Sequence, residues 1–131
     1  MLWGKRGSLT FDEWERVRMH AYHTDRILAR PEGLRSFGKV ASMHHERSDG
    51  LGYFRGTGSA QQPAAARILA AADAFHAMTE ERPHRPAMDT ERAAAEVQAE
   101  VKAGRLDADA AAAVSRRPGG RCDVGVSRSA G

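Results

Sequence analysis

The chain has 131 residues, enough for one small domain. Leu, Ile, Val and Phe together number 20 against 24 Ala, so the composition predicts an Ala-rich, shallow helical core. The net charge of +3 is unevenly placed: residues 1–60 carry +3, 61–115 carry −3 and 116–131 carry +3, a pattern without the broad basic face that nucleic-acid binding needs.

In chain order, Thr10 and Glu13 form a T-x-x-E capping box that opens a first helix. This helix runs through Trp14, Val17, His20 and Ile27-Leu28 until Pro31 disfavours helical geometry at Arg30. A second helix is expected from Leu34 to about Glu46, with Phe37, Val40, Ala41 and His44 spaced along one face. Residues 47–62 contain Gly50, Gly52, Gly56 and Gly58 among Ser48, Asp49, Thr57 and Ser59, a loop that needs backbone freedom or approaches a ligand closely. A third helix is expected over Pro63–Thr79, with Ile68, Leu69, Ala72, Phe75 and Met78 as its apolar stripe. The segment Arg82-Pro83-His84-Arg85-Pro86 breaks the pattern. Asp89 caps a fourth helix to Ala103, ended by Gly104, and Asp107 caps a fifth to about Arg117. From Pro118 no apolar period remains, so residues 118–131 read as a disordered tail. No segment alternates with period two, and the fold class is all-α with about five helices.

A single cysteine, Cys122, excludes an intrachain disulfide framework and a multi-cysteine zinc site. The longest apolar runs, Ile68 to Ala72 and the equally long Ala110 to Val114, are far too short to span a bilayer, and no apolar segment follows the first charges as in a signal peptide. A cytoplasmic protein without a membrane partner is expected.

Adjacent histidines, His44 and His45, are the sharpest chemical feature. They read either as a solvated helix end or as two imidazoles aimed at one metal ion. His20 and His23 share a helix face at i, i+3 spacing; one suffices for a metal, and His23 reads as a surface or half-buried residue. Asp73 stands mid-helix among alanines. If buried it must be paired, neutralised or metal-bound; a solvated face is the alternative. Arg82 and Arg85 either clamp phosphate oxygens or are ordinary exposed arginines.

The order His20, then His44-His45-Glu46-Arg47-Ser48-Asp49-Gly50-Leu51-Gly52-Tyr53, then Ala66 to Phe75 around Asp73, then Arg82 to Arg85 strongly resembles the C-terminal two-thirds of an HD-GYP domain. The H-H-E-x-x-D-G-x-G-Y string carries most of that likeness, which covers about residues 5–115. HD-GYP domains belong to the HD superfamily of metal-dependent phosphohydrolases, and characterised members hydrolyse cyclic dinucleotides, chiefly cyclic di-GMP. The resemblance implies an HD-domain-like helical bundle over residues 1–117. It implies His20, His44, His45 and Asp73 as ligands of divalent ions, iron or manganese. Arg82 and Arg85 match residues that contact substrate phosphate, and Gly50, Gly52 and Tyr53 match the signature loop beside the site.

The sequence also departs from the family pattern. No histidine precedes His20, so the family's name-giving His-Asp pair and an earlier ligand have no counterpart, and the chain reads as N-terminally truncated. Phe54 follows Gly52-Tyr53 where the family has proline, His76 replaces an acidic residue, and His84 replaces an aromatic one. The expectation is a phosphohydrolase domain with an incomplete metal site, inactive by itself. The alternative is a non-catalytic regulatory fragment that pairs with the upstream segment or with a second chain.

Overall fold

A computed structural model describes residues 8–82 and 85–116. The expected tail at 118–131, the first seven residues and His84 lie outside the described residues. Five helices follow in order: α1 (Phe11–Leu28), α2 (Arg35–Ala41), α3 (Ala64–Thr79), α4 (Thr90–Lys102) and α5 (Ala108–Ser115). Short 3₁₀ turns at Glu32–Leu34 and Ser59–Gln61 precede α2 and α3. Among the described residues there is no strand beyond an isolated bridge between Arg82 and Arg85, and the fold is all-α. No described helix is long and apolar enough to cross a membrane.

The predicted caps form. Thr10 Oγ1 accepts from the Glu13 amide at 3.3 Å while Glu13 Oε2 accepts from the Thr10 amide at 2.8 Å. Asp89 and Asp107 accept from the amides of Arg92 and Ala110, at 2.8 and 2.9 Å. These bonds satisfy amides that the first turn of a helix leaves without partners.

The second helix is shorter than its sequence suggested. It ends at Ala41, and His44-His45 sit in the turn beyond it. The local hydrogen bonds describe how it ends. Ser42 Oγ donates to the Lys39 carbonyl at 3.0 Å, and His44 Nδ1 bonds the Ala41 carbonyl at 2.7 Å. Those are the carbonyls that the Met43 and His45 amides would use in a continuing helix. The Met43 amide turns instead to Val40, three residues back, at 3.1 Å.

The core is as shallow as the composition implies. Its fully buried apolar residues are Ala21, Ala66, Ala70, Ala71, Ala93, Val97, Ala110 and Ala111. The apolar stripe of α3 differs from the predicted one: Ile68 and Leu69 are exposed, and the buried face runs through Ala66, Ala70 and Ala71. Phe37 is likewise exposed, and the buried contact of α2 is Gly38. A Cβ at Gly38 would stand 2.8 Å from Leu28 Cβ, so α2 approaches α1 more closely there than any side chain allows. In each case a small residue wins the interface because short side chains let helix axes come together, and the larger side chain is displaced outward. Helix α3 is the hub, packing against α2, α4 and α5, while α1 packs on α2. Arg67 on α3 donates to Asp107 at 2.9 Å and ties α3 to the start of α5.

Candidate metal centre

Three elements converge on one place. Helix α1 brings His20, the turn after α2 brings His44 and His45, and α3 brings Asp73. The ligand atoms of His20, His44 and His45 all lie within 4.8 Å of one another. His20 Nε2 faces His44 Nε2 at 2.9 Å. The rings of His20 and His45 meet edge to face with centroids 4.9 Å apart. Asp73 Oδ2 stands 3.8 Å from His45 Nδ1, with its side chain 43 % exposed, so its carboxylate is partly solvated and not isolated in the core. His23 is exposed and lies against the Tyr22 ring, away from this cluster.

The tautomers follow from the outer hydrogen bonds. A carbonyl oxygen only accepts, so Nδ1 of His20, bonded to the Val17 carbonyl, and Nδ1 of His44, bonded to the Ala41 carbonyl, carry the ring protons. Both Nε2 atoms then turn toward each other across 2.9 Å. Two imidazole nitrogens this close, with the third ring of His45 beside them, can share one cation. Backbone carbonyls that hold the second ring nitrogen are also what orients histidine ligands in metal sites. His45 is pushed down to about 3, first by burial and then by His44 and His20, so at neutral pH it is an uncharged donor. The three imidazole nitrogens therefore fit a divalent ion, and the Asp73 carboxylate stands beside them, 3.8 Å from His45 Nδ1.

The segment after the histidines folds back over them. The Tyr53 amide donates to the His45 carbonyl at 3.1 Å, and the Tyr53 ring stacks on His45 at 4.7 Å between centroids. Burial, with Asp73 nearby, raises the Tyr53 phenol to about 12 against the opposing Arg18. The Arg18 guanidinium lies over the Tyr53 ring at 5.1 Å. The Tyr53–Phe54 peptide bond is cis. Gly52 lies directly on the preceding strand of backbone: a Cβ there would fall within 2.5 Å of Glu46 Cα and the His45 carbonyl oxygen. Gly50 has a φ of 77° and turns the chain, its amide donating to the Arg47 carbonyl at 2.9 Å. Asp49 fixes the same turn by accepting from Leu51 at 2.9 Å, which holds its carboxyl below the usual range.

A cleft of about 420 Å³ opens beside the histidines. His44, His45, Gly52, Tyr53 and Asp73 line it, with Trp14 and Met78 as apolar wall and Arg47, Glu100 and Arg105 as charged rim. Arg82 and Arg85 are not among the residues that line it. Arg82 approaches Glu80 at 3.6 Å, and Arg85 donates to the Ala77 carbonyl at 2.5 Å near the end of α3. Sequence reading passed over Arg47 and Arg105, whose cleft positions depend on how residues 47–51 meet the α4–α5 turn. The Ser48 amide donates to the Arg105 carbonyl at 2.9 Å, a contact between segments with no shared pattern.

The family model for the HD domain matches residues 1–110, and the chain belongs to that family. It is similar over 91 residues, 38 % identical, to a 3'3'-cGAMP-specific phosphodiesterase of Vibrio cholerae, covering 70 % of this chain and 20 % of that protein. It is 38 % identical over 96 residues to a cyclic di-GMP phosphodiesterase of Thermotoga maritima, covering 72 % of this chain and 26 % of the relative. It is 35 % identical over 104 residues to the cyclic di-GMP phosphodiesterase response regulator RpfG of Xanthomonas campestris, covering 78 % and 27 %. The chain thus spans about a quarter or less of the length of these relatives. Together the matches identify an HD domain of the HD-GYP type.

Proposed function

We propose that the chain is the metal-binding part of a phosphohydrolase that acts on cyclic dinucleotides, cyclic di-GMP first among them. The observation that carries this reading is the convergence of His20, His44 and His45, with two Nε2 atoms facing each other at 2.9 Å beside an open cleft. His20, His44, His45 and Asp73 would hold the ion, iron or manganese. Bound there, a divalent ion supplies a Lewis acid for a phosphoryl oxygen and a hydroxide source near neutral pH.

The chain's own groups divide the remaining work. The Val17 and Ala41 carbonyls keep the His20 and His44 ring protons on Nδ1. Tyr53 covers one face of His45 and excludes water from it. Gly50 and Gly52 shape the loop beside the phosphodiester, and Arg82 and Arg85 provide positive charge for phosphate.

Two dications near a phosphodiester need several anionic ligands, and among the described residues the carboxylate beside the histidines is that of Asp73. We infer that the 131 residues bind metal and nucleotide but do not turn substrate over. The experiment joins metal analysis to product analysis. The chain is loaded with Mn²⁺ or Fe²⁺, and cyclic di-GMP is assayed for linear dinucleotide and GMP. The expected result is no hydrolysis and about one ion per chain or fewer, with hydrolysis recovered when a segment carrying a His-Asp pair is joined upstream. His44→Ala is expected to abolish metal binding and His23→Ala to leave it unchanged. Turnover by the 131-residue chain that vanishes in His45→Ala would overturn the inference. The second reading, a non-catalytic regulatory fragment, is favoured by the same lone carboxylate. It predicts nucleotide binding without hydrolysis even in the extended chain.

A further inference from the structure

Glu46 is the most deeply buried charged residue described, at 2 % exposure, and among the described residues no basic side chain forms a salt bridge with it. Its two carboxylate oxygens accept from backbone amides instead, Arg55 at 2.7 Å on Oε1 and Thr57 at 2.9 Å on Oε2. Gln62, 6 % exposed, reaches the same place from the other side. Its Nε2 donates to the Arg47 carbonyl at 3.0 Å and to the Thr57 carbonyl at 2.5 Å. The two side chains therefore join residues 46–47, immediately after the histidine pair, to residues 55–57, immediately after Tyr53. Between these ties lies the stretch that stacks Tyr53 on His45 and places Gly52 on the His45–Arg47 backbone. On the outer side Arg55 donates to Asp25 on α1 at 2.7 Å, so the tied loop is also fastened to the helix that carries His20.

We propose that Glu46, seconded by Gln62, is a positioning clamp for the metal centre: it fixes the loop that holds His45 and Tyr53 in register with His20. The proposal rests on the reading that the three histidines bind a metal. A carboxylate suits this task because both of its oxygens accept and neither donates. Glutamine at position 46 would keep the shape but turn an NH₂ group toward one of the two amides. That amide would lose its acceptor in a buried place, where an unsatisfied donor is costly.

The test uses the whole chain, with Co²⁺ as probe. In the metal-free protein, NMR reads the upfield ring-current shift that the Tyr53 stack imposes on the His45 ring protons. Visible absorption then reads the Co²⁺ affinity and coordination. Glu46→Gln is expected to lose the ring-current shift and to weaken Co²⁺ binding about tenfold or more, as loss of groups that orient ligands does, while the far-ultraviolet helix signal persists. Gln62→Met is expected to move both readouts in the same direction by less, and it decides the matter if Glu46→Gln fails to fold. Folded variants that keep the His45 shift and the Co²⁺ affinity of the parent would overturn the clamp, even with a lowered melting temperature, because then these residues only stabilise. A parent chain that binds no Co²⁺ would overturn the metal reading instead, and the metal-free NMR comparison would still decide the clamp.

Discussion

The helices and the segment between residues 46 and 62 are held by different physics. The helices meet through alanines: Ala66, Ala70 and Ala71 on α3, Ala93 on α4, Ala110 and Ala111 on α5. Each buries little area, and at about 25 cal/mol per Å² each contributes little. What these residues secure is distance, since short side chains let the backbones come close. The 46–62 segment contains no regular element before its 3₁₀ turn and is held by side chains bonding to backbone: Glu46 to Arg55 and Thr57, Gln62 to Arg47 and Thr57, Asp49 to Leu51. Packing through small residues spreads the stabilising contacts over many positions. A hydrogen-bonded loop concentrates them in a few. The site lies where the two regimes meet, with His20 and Asp73 on helices and His45 and Tyr53 on the tied loop.

That contrast breaks most sharply at Gly52. A methyl group there must displace Glu46 Cα or the His45 carbonyl, both within 2.5 Å of its ideal position, and these are backbone atoms that cannot rotate away. Gly52→Ala is expected to cost about 3 kcal/mol, the upper end for overpacking, and to remove Co²⁺ binding with it. Urea unfolding followed by circular dichroism gives the first quantity and cobalt absorption the second. A variant of parental stability would show that the loop yields more easily than its contacts imply.

The helical regime is probed at Ala71, fully buried on α3. Ala71→Leu adds volume between packed helices and is expected to cost about 2 kcal/mol. The difference from Gly52→Ala lies in where the strain goes. Helices can shift as bodies, so the Ala71→Leu protein that remains folded is expected to keep its metal affinity within a few fold. Loss of affinity as large as that of Gly52→Ala would mean that the helix packing and the site are one unit.

Much of this was legible in the sequence, and what was not has a physical pattern. The caps at Thr10, Asp89 and Asp107 were readable because each depends on residues within one turn. His20, His44 and His45 were readable as a set because a family string fixed their order, although periodicity put the histidine pair on a helix that in fact ends at Ala41. Beyond Ala41 the Met43 amide turns to Val40, three residues back, a tightening of the turn that hydrophobic spacing does not record. The α3 stripe was misjudged because hydrophobicity ranks Ile68 and Leu69 above alanine, whereas a closely packed interface selects for size. Glu46 stood inside the signature string, but nothing local distinguishes a surface glutamate from one whose partners lie nine and eleven residues onward. Arg82 and Arg85 were singled out by likeness, and in this structure they engage Glu80 and the Ala77 carbonyl.

The smallest expected effect joins the two regimes at Asp107, which uses a loop-type bond to start a helix. Its carboxylate accepts from the Ala110 amide and from Arg67, both at 2.9 Å. The Ala110 amide is the main reason its acidity is increased; burial opposes the shift and Arg67 adds to it. Asp107→Ala is expected to cost about 1 kcal/mol at pH 7, the usual loss for an N-cap. Because the folded carboxyl is more acidic than the unfolded one, its charge-dependent stabilisation is fully present above the unfolded value of about 3.9. It is lost as pH falls through the lower folded value. The gap between parent and Asp107→Ala should therefore narrow from pH 7 to pH 3. Asp107→Asn keeps an acceptor for the Ala110 amide without the charge, so its margin over Asp107→Ala should stay constant across the same interval. Urea unfolding of the three proteins at both pH values measures these margins. A parent gap that stays constant on acidification would mean that the cap works through its geometry alone, with Arg67 adding nothing that depends on charge.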